Sequence, residues 1–271
     1  MKTGRDTNSR SRRPSHVRAL LRKRFGLFPL LELRLKCALA LPALRMRIIE
    51  ELEVRSALRR LGGPIVADIV TVIPTYRRPE LLRQAIQSAI RQRCEGHIVI
   101  VVDDGGGQIP SLDDLHDLPV VTIRLKRNTK VAGVVRNVGI GVSRSPIVAF
   151  LDDDNAWLPN HLELALDAHA DGAEMTYSGL RRLRPDGSVV DTLSVPFDRR
   201  LMRERAFVDT SAIVVRRTRG CRFSRVPRGR ATVPGEDWEF AYRNSRRLST
   251  VHISETTVEY LIHSGSYFTE W

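Results

Sequence analysis

Apolar residues follow two different periods along the chain, and the change comes at Gly62-Gly63-Pro64. Before these residues, from about 17 to 61, apolar positions recur among arginines at helical spacing, which predicts one or two amphipathic helices. After them, short β-branched runs alternate with helical segments. This alternation is typical of a mostly parallel sheet with helices on both faces. The pattern therefore predicts an α/β domain preceded by a helical segment.

Four apolar runs, at 65–73, 97–102, 120–125 and 146–151, have the length and composition of strands buried on both faces. Residues 79–91 predict a helix, because a proline suits its first turn and one apolar stripe runs along it. In such sheets ligands bind beyond the carboxyl ends of the strands. The residues directly after each strand are therefore the first candidates for chemistry.

Acidic residues follow two of the predicted strands. Asp103 and Asp104 come after the second, and Asp152, Asp153 and Asp154 come after the fourth. Neighbouring carboxylates repel one another unless a cation lies between them, and a divalent cation with oxygen ligands commonly fills that role. Magnesium or manganese completes its shell with phosphate oxygens and water. The acids indicate a metal-assisted nucleoside diphosphate site, with a loop of solvated acids as the alternative for the three-Asp run.

The composition narrows the class of protein. A chain of 271 residues with 42% apolar and 28% charged residues can bury a sizeable core, which excludes collagen, low-complexity and wholly disordered chains. The formal charge of +13 is concentrated near the N-terminus, since residues 1–66 contain 16 Lys or Arg and 5 Asp or Glu. Three scattered cysteines predict neither a disulfide framework nor a metal knuckle, and they favour a reducing compartment.

The change in composition along the chain predicts three parts. Residues 1–16 are expected to be a disordered basic tail, 17–63 a basic amphipathic helical segment, and 64–271 the main domain. The most apolar N-terminal stretch, at 25–44, is interrupted by charges and prolines, so no spanning helix is predicted. Two alternatives remain for 1–63: contact with an anionic membrane surface, or packing on the domain or a second subunit of a homo-oligomer. We expect a cytoplasmic protein, and the first alternative would make it peripheral on the inner face of the membrane.

Five segments, in order, resemble the inverting GT-A glycosyltransferases of family 2. They are VTVIPTYRRPELL at 70–82, IVIVVDDGG at 98–106, RNVGI at 136–140, PIVAFLDDDNAWLPNHLE at 146–163 and GEDWEFAYR at 235–243. The resemblance spans roughly residues 68–263. It implies a GT-A fold, with a Rossmann-like, mostly parallel sheet flanked by helices. It also implies a nucleotide-diphosphate sugar donor, for which a UDP-sugar is favoured, and a hydroxyl acceptor.

The resemblance assigns a set of residues to the nucleotide-sugar site. In the family, the first strand-end loop contacts the nucleotide, an acid after the second strand hydrogen-bonds the nucleobase, and an Arg-Asn pair opens onto the donor pocket. The matching residues, with the neighbours expected to contact the donor, are Pro74, Tyr76, Asp103, Asp104, Arg136, Asn137, Asp153, Glu236 and Trp238.

Metal and catalytic roles follow from the same resemblance. Asp152 and Asp154 occupy the two acids of the family's D-x-D motif, which implies Mn²⁺ or Mg²⁺ as cofactor. Asp237 occupies the position of the general base, and the alternative is an acid that stabilises a helix N-terminus. His263 lies where such enzymes often place a histidine near the metal or diphosphate, and a structural histidine is the alternative.

Two features stand apart from the matched motifs. Arg77 takes a position where the family usually has Asn. Residues 216–230 contain seven arginines and precede the Asp237 motif. The sequence allows two interpretations of this basic loop: a segment that closes over an anionic substrate, or a solvated loop.

The leading hypothesis is a metal-dependent, inverting, non-processive glycosyltransferase. Non-processive transfer is expected because the Q-x-x-R-W motif of the family's polysaccharide synthases does not occur. A nucleotidyltransferase of similar fold, a catalytically inactive scaffold and a basic nucleic-acid-binding protein are the alternatives. The last is suggested by the isoelectric point of about 10.5. No reader motif accompanies the charge, so no specific nucleic-acid partner is expected.

Overall fold

The computed structural model describes residues 16–111, 119–229 and 232–262. The tail predicted at 1–16 therefore lies outside the described residues, apart from its last position. The helices in these ranges are α1 His16–Phe25, α2 Leu27–Ala38, α3 Ala40–Leu61, α4 Pro79–Ile90, α5 Ala132–Val142, α6 His161–Ala170 and α7 Glu236–Ser245. The strands are β1 Ile65–Val66, β2 Ile69–Thr75, β3 His97–Asp103, β4 Val120–Arg124, β5 Ser143–Arg144, β6 Ile147–Phe150, β7 Asn155–Trp157, β8 Met175–Leu183, β9 Val189–Leu193, β10 Ile213–Arg216 and β11 Thr250–Leu261.

One nine-stranded sheet organises the described residues, in the order β4-β3-β2-β6-β10-β8-β11-β7, with β9 paired to β8. Strands β4, β3, β2 and β6 are parallel, and β8 and β11 run in the same direction as these four. Strand β10 runs antiparallel between β6 and β8. The predicted α/β class with a mostly parallel sheet is confirmed.

The predicted elements correspond to observed ones, except that one predicted strand is two strands in the structure. The run at 65–73 forms two strands, because β1 pairs with β5 in a separate two-stranded sheet while β2 joins the main sheet. Strand β2 is buried over its whole length, as its continuous apolar run predicts. Helix α4 begins at Pro79 and buries the stripe formed by Leu82, Ala85, Ile86 and Ala89.

In the described part of the chain, three helices rather than one or two precede the sheet, and three of their acids, Glu32, Glu50 and Glu53, are buried. The Glu50 carboxylate of α3 accepts hydrogen bonds from Arg225, at 2.7 and 2.8 Å, and from Asn137 Nδ2 at 2.8 Å. Glu32 of α2 accepts from Arg228 at 2.8 and 2.9 Å. Helices α2 and α3 therefore pack on the main domain. The domain boundary near residue 64 stays a prediction.

The basic loop is built into the fold through its arginines. Besides Arg225 and Arg228, Arg217 donates to the Ser145 and Ile140 carbonyls at 2.7 and 2.9 Å, and Arg222 donates to the Asn137 carbonyl at 2.9 Å. These guanidinium groups are engaged by carboxylates and carbonyls of the protein itself. In the described part of the loop, they join the N-terminal helices and α5 to the domain.

Candidate active site

A cavity of about 830 Å³ lies where the parallel strands end. Its wall combines the segments after β2, β3 and β6, the start of α5, the turn before β10 and the start of α7. Nine of the predicted site residues line it: Pro74, Tyr76, Asp104, Arg136, Asp152, Asp153, Asp154, Glu236 and Asp237. The fold therefore brings most of the predicted site together from five separate segments.

Asp103 and Asn137 were predicted at the donor pocket, but the structure places them behind its wall. The Asp103 carboxylate is buried and accepts from the backbone N–H groups of Gly106 and Gly107 at 2.8 and 2.7 Å. Asn137 is buried between Glu50 and Phe223, whose backbone N–H donates to Asn137 Oδ1 at 2.7 Å. Both side chains hold neighbouring segments in place.

Trp238 is also buried behind the wall. Its indole Nε1–H donates to the Met202 carbonyl at 2.6 Å, and its ring stacks on Tyr242 and meets the edge of Phe28. Phe28, from α2, itself lines the cavity. The role predicted for Trp238 in contacting the donor is thus replaced by support of α7 and α2. The predicted ligand His263 lies outside the described residues.

Asp104 anchors the loop that leads into α5. Its carboxylate accepts from the backbone N–H groups of Thr129 and Lys130 at 2.7 and 3.0 Å. Burial nevertheless raises the pKa of Asp104 to about 6. The residue assigned to the nucleobase therefore shapes the cavity wall as well as lining it.

The three-Asp run is held by residues from the end of β2. Thr75 Oγ1 donates to Asp153 at 2.7 Å, and Arg78 Nη1 donates to Asp153 at 3.2 Å and to Asp154 at 2.8 Å. Burial raises the pKa of Asp153 to about 6. The sequence predicted no role for Arg78, whereas the structure shows it bridging two acids of the cavity.

Arg136 connects the acids after β6 to the start of α7. This buried arginine forms ion pairs with Asp152 and Glu236, and its guanidinium lies 5.0 Å from the centre of the Phe223 ring. Burial opposes its charge, but the two carboxylates outweigh burial and raise its pKa. Glu236 also accepts from the Gly133 N–H at 2.9 Å. Arg136 therefore positions two carboxylates at once.

Asp237 lies in the first turn of α7. Its Oδ1 accepts from the Trp238 N–H at 2.7 Å, and a Cβ at position 235 would collide with that same oxygen, so Gly235 leaves room for the carboxylate. Burial raises the pKa of Asp237 to about 6, and the charges of Glu236 and Asp152 act in the same direction. A carboxylate with this pKa is suited to accept a proton near neutral pH.

Asp209 is a cavity residue that sequence reasoning missed. It is buried, accepts from the Ser211 N–H at 2.8 Å, and has a pKa raised to about 7 by burial and by the charges of Asp152 and Asp237. Asp209 precedes β10, whose antiparallel direction brings its first residues to the edge where β6 ends. A search of strand carboxyl ends overlooks such an acid. The signal was an acid before the amino end of an antiparallel strand.

The charges lining the cavity favour a cation. Among the described residues that line it, seven are acids and four are cations: Asp104, Asp152, Asp153, Asp154, Asp209, Glu236 and Asp237 against Arg78, Lys130, Arg136 and Arg228. Among the described residues, no three Asp, Glu, His or Cys side chains are arranged as a complete metal site. Asp152 and Asp154 suit a hard cation that takes two carboxylates and completes its shell with phosphate oxygens and water.

Several curated proteins are similar to part of this chain. The succinoglycan biosynthesis protein ExoO of Rhizobium meliloti is 34% identical over 125 residues, which are 45% of this chain and 36% of that protein. ExoW of the same organism is 35% identical over 105 residues, 36% of this chain and 32% of that protein. The putative colanic acid biosynthesis glycosyl transferase WcaA of Escherichia coli is 32% identical over 98 residues, 35% of each chain. The chain thus spans about a third of these relatives.

The fold is similar to that of a solved glycosyltransferase. Staphylococcus aureus TarS 1–349 in complex with UDP-GlcNAc aligns with a TM-score of 0.58 at 15% identity, covering 75% of this chain and 61% of that one. The complex of the same protein with UDP has a TM-score of 0.56 at 15% identity, covering 72% of this chain and 60% of that one. These alignments show a GT-A type of fold.

The match to a family covers more than half of the sequence. It extends over residues 70–225, from β2 into the basic loop that follows β10. Those residues include five acids that line the cavity: Asp104, Asp152, Asp153, Asp154 and Asp209. The chain belongs to glycosyl transferase family 2.

Proposed function

We propose that the chain transfers a sugar from a nucleotide-diphosphate donor, a UDP-sugar, to an acceptor hydroxyl, with inversion and without processivity. The observation that carries this proposal is the acid-rich cavity at the strand ends. Asp152, Asp154 and Asp237 all line this cavity. The similarity to TarS, which was solved with UDP-GlcNAc and UDP, supports a uridine nucleotide. Membership of glycosyl transferase family 2 supports the reaction class.

Asp152 and Asp154 would hold Mn²⁺ or Mg²⁺. A bound divalent cation supplies positive charge that stabilises the departing diphosphate. The excess of acids around the cavity supports this role, because in the described part of the lining seven carboxylates face four basic side chains. Arg78 and Arg136, now paired with these acids, keep the two carboxylates at the cavity wall.

Asp237 is the proposed general base. Its carboxylate takes the proton of the acceptor hydroxyl as that oxygen forms a bond to the anomeric carbon, while the bond from that carbon to the diphosphate breaks on the opposite face. The nucleoside diphosphate leaves with the bonding electrons, and the anomeric centre is inverted. Glu236 and Arg136 position the start of α7 so that Asp237 faces the cavity.

The alternatives from the sequence are less well supported. A nucleotidyltransferase would leave Asp237, a cavity carboxylate with a raised pKa, without a role. A nucleic-acid-binding surface is poorly matched by a cavity lined mainly with carboxylates, which repel phosphates. Family membership also favours sugar transfer over either.

Calorimetric titration tests the donor site. We expect UDP, or its sugars, to bind in the presence of Mn²⁺, with GDP and dTDP binding more weakly. Replacing Asp154 with alanine (Asp154→Ala) should reduce metal-dependent binding of UDP at least tenfold, because one of the two proposed ligands is removed.

Asp186→Ala is the matched control for that titration. Asp186 lies in the exposed turn between β8 and β9, outside the cavity, so its removal should leave UDP binding unchanged. Binding of UDP that needs neither metal nor Asp154 would contradict the metal assignment. A folded chain that binds no nucleotide would contradict the donor site as a whole.

We further propose that the protein is cytoplasmic and contacts a membrane surface through residues 1–63. The basic charge of this region supports the membrane contact. Within the described residues, no helix combines the length and hydropathy that crossing a bilayer requires.

A further inference from the structure

The acids and the basic residues of α1–α3 differ in where they lie. Residues 16–61 contain eleven Lys or Arg and four acids. Glu32, Glu50 and Glu53 are buried against the main domain, and the fourth acid, Glu51, pairs with Arg47 at 3.0 Å. The surface that these helices present outward is consequently strongly positive.

Leucines and an isoleucine lie on this same outer surface. Along α3, Leu41, Leu44, Ile48 and Leu52 are 79%, 53%, 54% and 58% exposed. Their spacing of three and four residues aligns them in one stripe, about 100° wide at 3.6 residues per turn. Arg45, Arg55 and Arg59 fall on the stripe by the same spacing, and Glu50 lies on the opposite side. We call these seven residues the outer stripe.

A basic cavity adjoins the outer stripe. It has a volume of about 520 Å³ and lies between α3, the basic loop and α7. Leu44 belongs to both the stripe and the cavity, so the two surfaces are continuous. Lys36, Arg47, Arg219, Arg222, Arg225 and Arg243 line it, with Glu239 as the only acid among its described lining residues. Five of these cations form ion pairs with glutamates of the protein, and the sixth, Arg219, is exposed.

The combination of exposed aliphatic side chains and basic side chains favours one class of binding partner over the others. A second copy docking through the same face would place its arginines against these arginines, which electrostatic repulsion opposes. Nucleic acid would satisfy the cations but not the four exposed aliphatic side chains. A bilayer with anionic headgroups satisfies both, because aliphatic side chains enter the boundary of the acyl chains and cations remain beside the phosphates.

We propose that the outer stripe and the adjoining basic cavity dock on an anionic phospholipid bilayer. Leu41, Leu44, Ile48 and Leu52 enter the bilayer interface, and the cavity receives a headgroup phosphate. The inference rests on the membrane contact proposed above and not on the transfer reaction. Each cation near the surface strengthens binding by about fivefold at low salt, and salt screens that contribution.

Vesicle sedimentation with the full chain tests this surface. We expect binding to phosphatidylcholine vesicles that contain phosphatidylglycerol, weak binding to phosphatidylcholine alone, and loss of binding as NaCl is raised. The double variant Leu44→Glu/Ile48→Glu should bind at least tenfold more weakly, because two aliphatic anchors become anions. Arg219→Glu, in the basic cavity, should weaken binding at least fivefold.

Val189→Glu/Val251→Glu is the matched control, since both valines are exposed and lie on β9 and β11. This control should bind vesicles as the unaltered chain does. Equal binding to neutral and anionic vesicles, no binding, or unchanged binding of both test variants would overturn the proposal. A lipid-free dimer that dissociates in Leu44→Glu/Ile48→Glu would assign the stripe to a second copy instead. UDP titration of the same variants keeps the two proposals separate, because the donor cavity is unaltered.

Discussion

Four carboxylates of the cavity have pKa values raised mainly by burial. The pKa values of Asp104, Asp153 and Asp237 are about 6, and that of Asp209 is about 7. Since these values lie above the ordinary aspartate pKa of 3.8, the folded chain holds these protons more tightly than the unfolded chain does, and its stability falls as pH rises from about 4 to about 7. A bound cation would offset this cost.

The pKa of Asp237 predicts a pH dependence for transfer. Only the ionised carboxylate accepts a proton, so kcat/KM should fall about tenfold per unit as pH drops below the pKa of about 6, and should level off above it. Asp237→Asn should reduce kcat by about 10²–10⁴-fold. Initial rates measured from pH 5 to 8 check both expectations.

UDP binding separates catalysis from folding in that experiment. Asp237→Asn retains a side-chain oxygen that can accept the Trp238 N–H, so its affinity for UDP should match that of the unaltered chain. The assignment of Asp237 as base is wrong if the variant keeps full kcat. It is also wrong if kcat/KM of the unaltered chain does not fall below the pKa of Asp237.

Arg77 shows how one side chain can depart from a family pattern. Its backbone has φ 56°, in the left-handed region where Asn is favoured among residues other than glycine. The family's usual Asn at this place therefore fits the observed turn. The Arg77 guanidinium lies 5.1 Å from the centre of the Tyr76 ring, a contact that favours the arginine side chain in this geometry.

At the scale of elements, the buried Glu50 carboxylate is one of the contacts that hold α3 to the domain. Glu50 receives hydrogen bonds from Arg225 and Asn137, so Glu50→Ala would leave these donors without their acceptor. Removing one partner of a buried ion pair typically costs about 3–5 kcal/mol. We expect a decrease of about 3 kcal/mol in the free energy of unfolding, measured by urea denaturation.

The adjacent Glu51 provides a matched control. It is exposed and pairs with Arg47 one turn away on α3, so Glu51→Ala should leave the urea midpoint nearly unchanged. Equal midpoints for Glu50→Ala and Glu51→Ala would show that the buried contacts of Glu50 do not stabilise α3 on the domain.

At the scale of the whole molecule, the N-terminal helices and the sheet share one core. Ala57 of α3 is buried in it, and Val54 and Leu58 pack against it. We therefore predict a single unfolding transition, in which helical circular dichroism and tryptophan fluorescence change together. An earlier loss of helical signal, with fluorescence retained, would show that the segment unfolds independently.

Much of this architecture could be predicted because it depends on the pattern of apolar and polar residues close together in the sequence. The continuous apolar run of β2 and the amphipathic stripe of α4 depend on neighbouring residues, and both formed as expected. The acids at 152–154 were recognisable because the carboxyl ends of parallel strands share one edge. Asp209 and Arg78 were not predicted. Asp209 reaches the cavity because β10 pairs with β6, and Arg78 bridges acids that follow a different strand.

The sequence by itself determined the α/β class, the order of the strand-end motifs and six of the seven described acids that line the cavity, since periodicity and short motifs are local properties. Only the tertiary structure decided which charges meet. It buried Asn137 and Trp238 behind the wall, joined Glu50 to Arg225 across the chain, and left Leu44 exposed. Such choices depend on long-range packing, because burial and charge pairing are set by residues far apart in the sequence.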